Sequence, residues 1–174
     1  MTIRKILTEP DPFLRQKSEP VEEVDDSIRK IMDDMLETMY DAPGIGLAAI
    51  QIGVPKRIIV LDISKDPEKK GPMYFVNPEK IYTSKDQATY EEGCLSVPGQ
   101  FAEIDRPDKC HIKYLDYNGD SKELKAEGLL ATCIQHEMDH LEGILFIDYL
   151  SKLKRSMITK KLSKQKKELE RIVV

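Results

Sequence analysis

The 174-residue sequence contains no tryptophan, only four phenylalanines and seven tyrosines, and just three cysteines and three histidines. The odd cysteine count gives no paired disulfide framework, so reduced thiols are expected, available as core residues or metal ligands. Met1-Thr2-Ile3-Arg4-Lys5 is not followed by the apolar stretch of a signal peptide, which points to a cytoplasmic setting. The densest apolar runs, such as Ile58 to Leu61, are too short to cross a bilayer, so no membrane role is expected. Repeats and low-complexity stretches are also missing, and no linker divides the chain. One domain over 1–174 follows from the length.

What is present is an ordinary globular balance, 40% apolar and 33% charged, with a net charge of −4. That charge is uneven. From Ser151 to Val174, nine Lys or Arg face only Glu168 and Glu170, so this segment is +7 and the other 150 residues carry −11. A basic tail on an acidic body fits either a solvated helix face or one localised anionic contact.

Periodicity predicts a helix over Asp25 to Tyr40, with Ile28, Ile31, Met32, Met35, Leu36 and Met39 as its apolar stripe and Ala42-Pro43-Gly44 as its end. Arg57 to Ile63, Met73 to Val76, Lys80 to Gly93 and Cys110 to Tyr117 read as strands, the third with an irregular end. Asn118-Gly119 predicts a tight turn into a returning strand over Asp120 to Lys125. Gly128 to Leu141 reads as a helix stopped by Gly143. Residues 151–172 form a basic terminal helix, with Leu153, Met157, Leu162 and Leu169 roughly on one side. The expected class is α+β: antiparallel sheets around a central helix, with an N-terminal helix and a long C-terminal one.

The central helix carries His136-Glu137-Met138-Asp139-His140. Histidines four apart project from one helix face, about 6 Å apart at the backbone, so two nitrogens reach one ion. Glu137 is rotated by about 100° and sits beside that ion, placed to take a proton from bound water and return it to a leaving group. Two surface histidines would be the bland alternative. Leu129, Leu130, Cys133 and Ile134 make the preceding turns apolar, which argues for burial and for a metal-dependent hydrolase.

The third ligand is open at this point. Gly143 fits the register of the metzincin protease pattern, but Phe146 occupies the place of its third histidine and cannot ligate. Glu168 and Glu170, candidates by analogy with thermolysin-like proteases, lie in the lysine-rich helix. Cys133 is seven residues before His140, roughly 10 Å along the helix, so it lines a pocket or packs in the core. Cys110 reads as core, and His111 faces away with Lys113. Cys94, beside Gly93 in a break between strands, lets backbone and thiolate both approach a ligand. The metal-dependent hydrolase reading is open as to substrate, with a zinc endopeptidase as one form of it, and a non-enzymatic module whose structural metal is closed by Cys94, Cys110, His136 and His140 stands against it.

Three segments in order, GIGLAAIQ (Gly44 to Gln51), EGCLS (Glu92 to Ser96) and QHEMDH (Gln135 to His140), resemble the peptide deformylase family, as do GLLATCI before the metal helix and ILFIDYL after it. The resemblance implies that Cys94, His136 and His140 bind one divalent metal with water in the fourth position. Fe2+ is the implied metal, with Zn2+, Ni2+ or Co2+ able to substitute. It implies Glu137 as general acid/base in the attack of metal-bound water on a formyl carbon. Gln51 and the Leu95 N–H would donate to the developing oxyanion. Ile45, Gly46 and Gly93 would offer main-chain groups to an extended peptide, and Leu129 and Cys133 would wall the methionine pocket. The implied substrate is the N-terminal formyl-methionine of nascent bacterial or organellar polypeptides. The long basic helix resembles a form associated with docking near the ribosomal exit tunnel, without sequence-specific nucleic-acid recognition. One departure stands out: many bacterial members carry an arginine soon after EGCLS, where Phe101 stands here.

Overall fold

The structure is a computed structural model, described over residues 1–173; the terminal Val174 lies outside the described residues. α1 (Asp26–Asp41) starts at Asp25, whose carboxylate accepts the N–H of Ile28, one of the donors a helix start leaves free. Ile28, Met32, Met35 and Met39 are buried, as the spacing predicts. Seven strands follow: β1 (Gly46–Ala48), β2 (Ile58–Leu61), β3 (Met73–Thr83), β4 (Gln87–Cys94), β5 (Val97–Pro107), β6 (Lys109–Leu115) and β7 (Ser121–Glu127). α2 (Gly128–Leu141) comes next, and α3 (Lys152–Ile172) closes the chain.

The strands form a five-stranded sheet in the order β1-β2-β3-β6-β7 and a separate β4-β5 pair, all antiparallel. This is the expected α+β arrangement. β2 shows how one short run serves two cores. Ile59 and Leu61 point toward α2 and join Phe75, Ile112, Ile134 and Leu141; Ile58 and Val60 point toward α1 and join Met32, Met35 and Leu47. A third cluster of Val97, Ile104, Phe146 and Leu162 sits where β5 meets the C-terminal segment.

Three sequence expectations are corrected. The predicted strand from Lys80 to Gly93 breaks at Ser84–Asp86, so its first half belongs to β3 and its second to β4 in the other sheet. β5 is absent from the sequence reading because Pro98, Gly99 and a run of polar residues hide its alternation; of its eleven residues only Val97, Ile104 and Arg106 are buried. On α3, Leu162 is buried and Ile158 packs beside it, but Leu153, Met157 and Leu169 are exposed. The helix is anchored along a short contact rather than a full stripe.

Candidate active site

α2 is buried from Ala131 to Leu141 although it carries Gln135, His136, Glu137, Asp139 and His140. Polar side chains in such a place need partners. His136 and His140 lie one turn apart, with ring centroids 5.2 Å apart. β4 ends at Cys94, whose Sγ stands 3.4 Å from His140 Nε2. One donor atom from each of Cys94, His136 and His140 lies within 4.8 Å of the others. Two imidazoles and a sulfur in that spacing match an open divalent-metal site with three protein ligands.

The electrostatics fit a cation. Burial and the neighbouring His136 hold His140 well below its ordinary pKa, so it is a neutral imidazole ready to ligate. For His136, burial pulls the same way, but Cys94 and the carboxylates of Glu92 and Glu137 overrule it and raise the value. The same negative groups would favour a cation at the donor atoms. His140 Nδ1 and Glu137 Oε2 are buried with no hydrogen-bond partner among the described residues. Burial, with Glu92 and Asp139 adding to it, pushes the Glu137 carboxyl up to about 7 against the pull of His136 and Arg106. At that value the Glu137 carboxyl is placed to hold or release a proton near neutrality.

Behind the candidate ligands lies a network that the sequence did not disclose. Glu92 Oε1 stands 2.8 Å from His136 Nδ1, turning the other ring nitrogen toward the site. Arg106, almost fully buried, binds Glu92 through two nitrogens at 2.7 and 3.0 Å and Asp139 through a third at 2.8 Å. The Tyr149 hydroxyl donates to Asp139 at 2.7 Å, and its ring lies 5.0 Å from the Arg106 guanidinium. A faint signal existed: Arg106 has the same strand parity as Ile104, and Asp139 sits within an otherwise buried helix.

A cavity of about 470 Å³ opens in front of this cluster. Of the predicted site residues, Gln51, Leu95, Ile45, Gly46, Gly93, Leu129, Cys133, Cys94, His136 and Glu137 line it, and His140 lies at the metal cluster. Gln51 Oε1 accepts the Ala48 N–H at 2.9 Å, which orients Nε2 toward Ser96 Oγ at 2.9 Å and Cys94 Sγ at 3.6 Å. The glycines have a steric reason. A Cβ on Gly46 would stand 2.5 Å from Glu137 Oε1, and one on Gly44 would stand 2.7 Å from Leu95 Cδ1. Burial pushes the Cys133 thiol up to about 12, with Glu137 and Glu92 adding to it, so it stays neutral and makes an apolar wall.

The alternative ligands fall elsewhere. Glu168 and Glu170 are exposed on α3, and Cys110 is buried in the sheet core. Phe146 is buried with its ring stacked 6.2 Å from His136. None of these joins the donor cluster found among the described residues.

The comparisons with known proteins agree with this geometry. The family model described as Polypeptide deformylase matches residues 3–156. A curated peptide deformylase of Pelagibacter ubique is 69% identical over 176 residues, covering 100% of both chains. The crystal structure of peptide deformylase from Ehrlichia chaffeensis aligns with a TM-score of 0.91 at 45% identity, covering 96% of this chain and 98% of that one. Its complex with actinonin aligns equally well, at 47% identity over 95% of this chain and 98% of that one. With the metal-donor cluster, the buried glutamate and a match over nearly its whole length, this chain belongs to the polypeptide deformylase family.

Proposed function

We propose that the chain, acting as one catalytic domain over 1–174, removes the formyl group from the N-terminal formyl-methionine of nascent polypeptides. The Cys94–His136–His140 cluster carries this reading, because it sits at a peptide-sized cavity beside the buried Glu137 carboxylate, whose Oε2 has no hydrogen-bond partner among the described residues. The three residues would hold a divalent metal, which when bound supplies Lewis acidity and activates water. Two imidazoles and a sulfur suit Fe2+, Zn2+, Co2+ or Ni2+; family likeness favours Fe2+, and sensitivity to oxidation follows.

Each remaining residue has work that its position supports. Glu137 accepts a proton and delivers it to the departing amine. The Gln51 amide and the Leu95 N–H donate to the oxygen that gains charge. Main-chain groups of Ile45, Gly46 and Gly93 hold the peptide as an added strand, since β1 is a sheet edge and carries little side-chain bulk there. Leu129 and Cys133 wall the pocket for the methionine side chain. The basic α3 offers a contact for ribosomal RNA or protein, and the bacterial cytoplasm is where such substrates arise.

Anaerobic purification, metal analysis and a deformylation assay on one sample test the reading. Activity on a formyl-methionyl peptide in proportion to bound metal is expected. Full metal loading without deformylation would overturn it, whereas zinc with high activity would overturn only the iron assignment.

A further inference from the structure

Phe101 stands out among the chain's few aromatics, because it is 66% exposed and yet lines the cavity. Its position has a clear backbone cause. In the β4-β5 pair Glu92 faces Ala102 and Cys94 faces Val97, so Gly93 alone stands against Pro98, Gly99, Gln100 and Phe101. Gly99 takes a φ of +72°, which lets this bulge fold back. The bulge lays the Phe101 ring over Gly93, with Cε1 2.6 Å from where a Cβ would stand. The ring therefore fills the space of the missing side chain. Ile45, in the other sheet's approach to β1, lines the same cavity and is 46% exposed. Two large exposed apolar side chains, Phe101 from the β4-β5 pair and Ile45 from the loop before β1, thus line one cavity.

The geometry points to Phe101 and Ile45 as an apolar clamp that selects the second residue of the substrate, favouring aliphatic or aromatic side chains there. This rests on the deformylase reading above, with the methionine side chain against Leu129 and Cys133. Side chains of an extended peptide alternate in direction. If the first points inward, the next points out to the mouth, where it covers exposed Phe101 and Ile45 surface. Burial of apolar area on both partners favours that contact, and a polar or acidic side chain gains nothing from it.

The test compares kcat/KM for formyl-Met-Leu-Ser and formyl-Met-Ser-Ser. The protein is metal-loaded throughout, as wild type, F101A, F101L and I45A, and each variant is checked for metal content and circular dichroism. Wild type is expected to prefer the leucine peptide by about fivefold, the scale of half-burying one aliphatic side chain. F101A is expected to reduce the preference to about twofold or less, with F101L keeping most of it. I45A lowers it independently, which covers the case of F101A failing to fold. Equal rates for the two wild-type peptides, or an unchanged ratio in both F101A and I45A, would overturn the clamp while leaving deformylation intact. Absence of cleavage of both peptides by loaded wild type would end the functional reading and the clamp with it.

Discussion

Glu92 Oε1 lies 2.8 Å from His136 Nδ1, so a carboxylate on β4 fixes the ring orientation of a histidine of the candidate metal cluster on α2. The same carboxylate is bound by Arg106 through two nitrogens. Glu92 therefore has two separable jobs, orienting an imidazole and neutralising a buried guanidinium.

The Glu92→Gln variant keeps the shape and loses the charge. We expect metal affinity to fall about 10- to 100-fold, read by competition with a chelator. Glu92→Ala also removes two of the three hydrogen bonds of buried Arg106 and leaves it Asp139 alone, so it should unfold more easily by about 1–3 kcal/mol in urea. Wild-type affinity in Glu92→Gln would show that His136 needs no such partner.

Glu137 is expected to act on protons rather than on metal retention. Glu137→Gln should bind metal normally, with kcat on a formyl-methionyl peptide down by about 10²–10⁴. Its unpaired, buried Oε2 means that the substitution breaks no hydrogen bond at that atom. A fully loaded variant with wild-type turnover would exclude the role.

Gly143 takes a φ of +74° just past α2, and its Cα faces the Arg15 backbone carbonyl so closely that a Cβ would collide with it. Gly143→Ala therefore meets both strain and overlap. A loss of about 1–3 kcal/mol in chemical denaturation is expected. A neutral effect would mean that the Arg15 segment moves freely.

Asp62 supplies a pH dependence away from the metal site. Burial raises its pKa, but the Tyr40 hydroxyl at 2.6 Å and the N–H groups of Ser64 and Gly71 outweigh this and hold it below the usual value. A folded pKa below the unfolded one means that the stabilisation is complete above an unfolded value of about 3.9 and is lost as pH falls through the folded one. The stability gap between wild type and Asp62→Asn should therefore shrink as pH drops below about 4. A gap independent of pH in acid titrations would refute the assignment.

Removal of residues 164–174 leaves the Ile158 and Leu162 anchor in place. Deformylation by the truncated protein should match wild type, while cosedimentation with ribosomes at low salt should weaken as Lys164, Lys166, Lys167 and Arg171 are lost. Undiminished cosedimentation would place any such contact elsewhere.

The sequence by itself determined what local rules govern. Methionine and isoleucine spacing made α1, and the i,i+4 histidines with Glu137 between them put two imidazoles and a carboxylate on adjoining faces of α2. Motif likeness supplied Cys94 and Gln51, which spacing could not, because they lie over forty residues away from the histidines. Only the tertiary structure decided the rest. The chain leaves the main sheet at Ser84–Asp86, and β4 then brings Cys94 and Glu92 against α2. Arg106 and Tyr149 then gather behind them. Those contacts join residues with no periodic relation along the chain, and burial turns their charges from surface ornaments into partners. The bulge that sets Phe101 over Gly93 has the same origin: it depends on strand register, a property of two segments paired in space that neither segment shows alone.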